Sequence, residues 1–355
     1  MRRRLPPVPL AALLLVLLAV LLFLSLRSGP LGTLGAMDVL RGVLAVAGLG
    51  EPLEPGLQGP VRLRLFDALT AAGVGAALAL SGGLLQGLFR NGLASPSMIG
   101  VTAGAALGAA VAIVLIGGYG PGLFVEQGAG FAPVVVTVAG FGGALGVGFL
   151  VLALGSSGGR VSVPTLLLVG IAVNTCVAGA IAAIQSLTLG DDHIVRAIMS
   201  WTFGTLDDRS PYHALLVWSG VSVAFLMLPF VAVELDLFAG GEHDAEALGV
   251  RVGRVKLLTL LGASLAAASA VAVAGQIAFV GLIVPHLVRL LAGPAHRALL
   301  PLSLLGGAAF LMAADLLQGL LFAGTNLQPG VLMSLVGGPF FLALLLRNRR
   351  AVTGW

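Results

Sequence analysis

The chain has 355 residues, 58% of them hydrophobic and only 10% charged, with a mean hydropathy of +1.07. Soluble domains are about 45–50% apolar and about 25% charged, so this composition excludes an ordinary soluble domain and points to an all-α polytopic membrane protein. The net charge of +4 does not indicate nucleic-acid binding, because the basic residues are scattered between apolar runs. The single cysteine, Cys176, lies within such a run, which argues against disulfides and thiolate metal sites.

Windows of about 20 apolar residues mark candidate membrane spans. Ten are found, at 9–27, 67–89, 94–117, 130–154, 163–188, 212–235, 256–275, 277–293, 298–322 and 328–347. The first follows Met1-Arg-Arg-Arg and resembles a signal peptide. Its apolar run, Leu10 to Leu26, is longer than a usual signal core and no clean Ala-x-Ala site follows, so a retained span is expected. Segment 28–66 contains Asp38-Val-Leu-Arg-Gly-Val-Leu, expected as an interfacial helix, and then a Gly/Pro-rich turn from Gly48 to Pro60. In the third span Gly100, Gly104 and Gly108 recur every four residues, a face suited to close helix packing. Between spans five and six, Ile194 to Phe203 reads as a short helix, with Trp201 expected at the membrane interface.

The longest charged stretch runs from Leu237 to Lys256 and holds Glu242, His243, Asp244, Glu246, Arg251, Arg254 and Lys256. A bilayer core does not accept that cluster, so this loop lies in water. Glu242 to Leu248 is expected to form about two helical turns stopped by Gly249, with Ala245 and Leu248 on one face. A short acidic helix with a small apolar face suits docking onto a soluble partner. With both termini inside, 13 of the 19 basic residues fall on the same side as this loop, as the positive-inside rule requires. An odd number of spans destroys that asymmetry. Span eight is short and contains Pro285, His286 and Arg289, so a kinked or re-entrant helix is expected; Asp315 is the one acid placed inside a span, and burial there calls for a partner.

The run Ser81-Gly-Gly-Leu-Leu-Gln-Gly-Leu-Phe-Arg-Asn-Gly-Leu-Ala-Ser-Pro-Ser-Met-Ile-Gly resembles the FecCD/BtuC-like permease subunits of type II ABC importers, which carry iron–siderophore, haem and cobalamin. Further matches are Leu167-Leu-Val-Gly-Ile-Ala, Trp201-Thr-Phe-Gly-Thr-Leu, Ala247-Leu-Gly-Val-Arg-Val, Phe279-Val-Gly-Leu-Ile-Val-Pro-His-Leu-Val-Arg, Ala314-Asp and Gly337-Gly-Pro-Phe-Phe-Leu, over about residues 60–347. The Phe-Val-Gly-Leu-x-x-Pro-His block is the most specific of these.

The resemblance implies a ten-span permease forming one transmembrane domain over 1–355, with cytoplasmic termini and a coupling loop at 237–256. It implies pairing with a second permease subunit, as homodimer or heterodimer. Two cytoplasmic ATPases would bind through Glu242, Asp244, Ala245, Glu246, Ala247, Leu248 and Gly249, and an extracytoplasmic binding protein would dock on the opposite face. Asn91 and Leu93 match the family's gate, with Ser162 and Val163 near a second one, and Gln86 is expected along the route. No Gly-x-x-x-x-Gly-Lys-Ser/Thr loop is present, so ATP is expected to be used by a partner and no cofactor to be bound directly. An iron chelate imported across the bacterial cytoplasmic membrane by alternating access is the expected activity, with haem or cobalamin as the alternative cargo and proton-coupled transport through Asp315 as a more distant one.

The chain also departs from the family pattern. The family's Arg-Leu-Pro-Arg is Arg64-Leu-Phe-Asp67 here, and a third family arginine aligns with Gly319. Only Arg64, with Arg62 as a substitute, is left to meet acids on a binding protein.

Overall fold

The computed structural model describes residues 5–29, 32–50, 55–118, 131–157, 160–322 and 327–347. Five arginines of the charge argument (Arg2, Arg3, Arg4, Arg349, Arg350) and Glu51 to Glu54 of the expected turn lie outside the described residues.

In chain order, α1 (Pro7–Arg27) leads through α2 (Ala36–Val46) to the long α3 (Pro55–Leu88) and, after a 3-10 turn at Pro96–Ile99, to α4 (Val101–Ile116). Then come α5 (Ala132–Leu154), α6 (Val163–Leu187), α7 (Asp192–Phe203) and α8 (Pro211–Met227). The short α9 (Ala232–Leu237) and α10 (Glu242–Ala247) precede α11 (Val252–Ala274), α12 (Val280–Ala292), α13 (His296–Leu321) and α14 (Pro329–Arg347). A two-residue antiparallel pairing of Ser156–Ser157 with Arg160–Val161 closes the turn between α5 and α6. Among the described residues, seven helices are long and apolar enough to cross a membrane: α1, α3, α5, α6, α8 with its extension to Phe230, α11 and α13. The shorter apolar helices α4, α12 and α14 stand at the other three expected positions. With 16 residues, α4 spans about 24 Å, short of a ~30 Å hydrocarbon core. The 3-10 turn before it adds length.

Three boundaries differ from expectation; prolines account for two of them and a left-handed glycine for the third. Pro55 opens α3, so residues 55–60 are helical rather than part of a turn. The sixth span is interrupted after Met227, where Pro229 has no N–H to continue the ladder and a 3-10 turn over Leu228–Phe230 takes over. Gly100, with φ of 80°, separates the 3-10 turn from α4.

The centre of the bundle is made by α3 and α11. Val74, Ala76, Ala77 and Leu80 of the first, and Ala263, Ala266 and Ala267 of the second, are fully buried. Small residues decide which helices touch, since packing rather than the hydrophobic effect holds helices together in lipid. A Cβ on Gly82 would run into the carbonyl oxygen of Gly281, and one on Gly75 into that of Gly307. The Gly100–Gly104–Gly108 face packs against α5, where added Cβ atoms would meet Val147, Gly143 and Ala139. By contrast α1 buries only Leu10, Leu21 and Leu26. Trp201 of α7 is buried at 6% exposure and faces Gly140, so it packs inside the protein rather than at an open interface.

Candidate coupling site and gate

The loop between α8 and α11 is anchored by its apolar residues. Leu235 of α9 and the following Phe238 are 1% and 2% exposed. Gly241, at φ of 124°, turns the chain into α10. The helix ends as expected at Gly249: its N–H reaches the Glu246 carbonyl at 2.9 Å, the Val250 N–H reaches that of Ala245 at 3.0 Å, and Gly249 has φ of 88°. This pair of bonds is the Schellman arrangement, which needs a left-handed residue at that place.

Ala245 and Leu248 do not share a face. Ala245 is fully buried, while Leu248 is 68% exposed beside exposed Asp244, Glu246 and Ala247. The reason is that Leu248 is the cap residue, where the chain leaves the helix. Glu242 is held back by Lys256, whose Nζ lies 2.7 Å from its Oε2. The surface left open is thus Asp244, Glu246, Ala247, Leu248 and Gly249.

Ahead of the loop, Asp236 of α9 accepts two bonds from His296, the first residue of α13: 2.9 Å from the backbone N–H and 2.6 Å from the ring Nδ1. Neither residue stands out in the sequence, because sixty positions separate them. Asp236 meets His296 only through the tertiary fold.

The turn expected to form a gate follows α3. Arg90, at φ of 51°, donates to the Gly87 carbonyl at 3.3 Å, and the Asn91 N–H reaches the Gln86 carbonyl at 3.2 Å. This is the same helix-ending geometry as at Gly249, without a glycine. Asn91 is exposed, and its Oδ1 accepts from the Leu93 N–H at 2.9 Å, so the side chain rigidifies its own turn. Half-buried Leu93 follows it. Ser162 begins α6 with an exposed side chain, its Oγ accepting from Thr165 Oγ1 at 2.9 Å, and Val163 is half-buried next to it. Asn174, which the sequence reading passed over, ties α6 to the segment after the gate by donating to the Ser97 carbonyl at 2.9 Å.

Gln86 is a correction. It is 1% exposed, with its side chain turned into the bundle. Its Nε2 donates to the carbonyls of Gly281 at 3.4 Å and Leu282 at 3.2 Å, and its Oε1 accepts from Arg289 at 3.4 Å. Pro285 lacks the N–H that would serve Gly281, and Gln86 takes its place.

Arg64 is a second correction. It is 8% exposed, and its guanidinium donates to the carbonyls of Leu26 at 3.1 Å, Arg27 at 3.2 Å and Gly32 at 2.8 Å. A helix C-terminus leaves carbonyls without partners and favours a cation there. Arg64 therefore closes α1, and of the two expected docking arginines only Arg62 is exposed. Asp67 also points inward, accepting from the Arg209 N–H at 2.6 Å. Asp315 is half-buried and forms no hydrogen bond or ion pair among the described residues, unlike the partnered acid expected.

A model of the FecCD transport family matches residues 11–347. The chain belongs to the FecCD transport family. Among FecCD-type relatives, it is 43% identical to the cobalamin import system permease protein BtuC of Halobacterium salinarum over 81% of this chain and 73% of that protein. It is 38% identical to the hemin transport system permease protein HmuU of Yersinia pestis, over 83% of this chain and 85% of that one. A solved metal-chelate type ABC transporter in an inward-facing conformation superposes with a TM-score of 0.78 at 27% identity, covering 95% of this chain and 98% of that one. The chain is a multi-pass membrane permease of the FecCD type, and such permeases are transport subunits rather than enzymes.

Proposed function

We propose that this chain is the permease subunit of an ATP-driven importer that carries a metal chelate across the cytoplasmic membrane of a bacterium. The observation that carries the reading is the short acidic helix α10, held in place by Lys256 and the buried Phe238, with Leu248 and Glu246 turned outward. Two cytoplasmic ATPase subunits would grip this surface on two copies of the chain, or on this chain and a related one. Nucleotide-driven closure would then part the gates at Asn91–Leu93 and Ser162–Val163, by a shift between two packings. On the opposite face Arg62 is the exposed cation of the expected pair for an extracytoplasmic binding protein. ATP is spent by the partner, and both termini lie inside.

An iron chelate of the siderophore type is the first reading of the cargo. Haem and cobalamin are the second, favoured by the names of the two relatives. The test uses purified chain in liposomes with each ATP-binding subunit and binding protein of its host. Uptake of a ferric hydroxamate, hemin and cyanocobalamin is compared with and without ATP. ATP-dependent accumulation of one of them is the expected result. Uptake driven by a proton gradient without ATP would overturn the reading.

A further inference from the structure

We propose that Asp236 is a positioning residue that carries movement of the docking helix α10 to the gate turn at Arg90–Leu93. The inference rests on the ATP-coupled reading and deepens it.

A salt bridge, Glu242–Lys256, and a carboxylate–imidazole hydrogen bond, Asp236–His296, both fasten the loop between α8 and α11 to spans. The first ties the start of α10 to α11. The second reaches further. One carboxylate oxygen of Asp236 holds both the backbone N–H and the ring Nδ1 of His296. Ala295, at the cap position of α13, has no side-chain acceptor, so Asp236 satisfies an orphan donor of that 26-residue helix from another part of the chain. Negative charge is favoured there by the helix dipole.

The far side of the His296 ring lies against α3 at Gly87, where a Cβ would run into Nε2. Beside it, Arg289 of α12 donates to the Gln86 side chain. Gln86 and Gly87 are the two residues whose carbonyls hold the gate turn, through the N–H groups of Asn91 and Arg90. A contact route thus runs from the carboxylate through the His296 ring to Gly87, one of the two residues whose carbonyls hold that turn. Leu235 and Phe238, both wedged in the core, make α9 and the 3-10 turn after it, Phe238–Gly240, a stiff lever between Asp236 and α10.

A cap that serves α13 alone would make the same two bonds, and amide exchange separates the roles. In the purified chain in detergent, Asp236→Ala is expected to speed hydrogen exchange at residues 90–93 at least fivefold as well as at 296–299. Faster exchange at 296–299 alone overturns the proposal. In liposomes with the ATPase and binding protein, Asp236→Ala and His296→Ala are each expected to assemble and split ATP within twofold of the parent chain. Each should move at least tenfold less chelate per ATP, and the double variant no less than either single one. An unchanged ratio, or losses that multiply in the double variant, overturns it. If the alanine form does not fold, Asp236→Asn is measured instead. It keeps an acceptor for the His296 N–H but loses the charge, and a normal ratio of transport to hydrolysis in that variant counts against the proposal. If exchange spreads to the gate but no ATPase assembles with the parent chain, the contact path stands and the ATP-coupled reading fails.

Discussion

The side-chain amide of Gln86 donates to the carbonyl of Gly281, the oxygen that Pro285 leaves without a helical donor. This contact joins α3 to α12 and leaves Oε1 free to receive Arg289.

Loss of that amide should therefore act on stability rather than on selectivity. Gln86→Leu leaves a buried carbonyl without its donor and Arg289 without its acceptor, and is expected to cost about 1–3 kcal/mol. The denaturation midpoint of the purified chain should fall. A full-stability variant with altered cargo preference would restore Gln86 to the route.

Arg64 and Arg62 should separate cleanly. Hydrogen bonds to a charged group contribute about 1.5–3 kcal/mol, so Arg64→Ala should destabilise the chain by that order. Arg62→Ala, at an exposed position, should stay within about 0.5 kcal/mol. The two unfolding curves check this. A stable Arg64→Ala chain would mean that the α1 carbonyls find other donors.

Gly82 has no room for a side chain. Gly82→Ala pushes a Cβ against the Gly281 backbone, which cannot give way like a flexible side chain. Overpacking of this kind costs about 1–3 kcal/mol or more, and the expected outcome is poor accumulation in membranes. Gly142→Ala, where nothing lies within 4 Å, is the matched control and should accumulate normally.

Helix α10 and its cap offer one surface change and one backbone change. Leu248→Asp alters an exposed side chain, so folding should be kept within about 0.5 kcal/mol while co-purification with an ATPase is lost. Gly249→Ala forces a side chain into left-handed backbone at a cost of about 1–2 kcal/mol. Faster amide exchange over residues 245–250 is the expected sign. Unchanged recovery of the ATPase with Leu248→Asp would remove this surface from the interface.

Much of the fold was legible because a membrane chain must satisfy its backbone internally, so each apolar run of sufficient length becomes a helix. Boundaries slipped where proline acts locally, at Pro55 and Pro229. The short helix α10 was legible from its charged stretch, and its end from Gly249. Gln86 and Arg64 were misplaced for one reason. A polar side chain on an apolar helix reads as facing water or cargo, whereas here each answers backbone carbonyls of another helix, and the sequence does not say which carbonyls lack donors.

The sequence by itself determined that the chain is helical, membrane-spanning and charged at one loop between spans, because hydropathy, span length and charge placement are local quantities. The pairing of helices was decided only in three dimensions. Gly82 against Gly281, Asp236 on His296 and Arg64 on the end of α1 depend on which surfaces meet. That is set by the shape of small residues and by the orphaned polar groups left when many apolar helices of similar composition pack together.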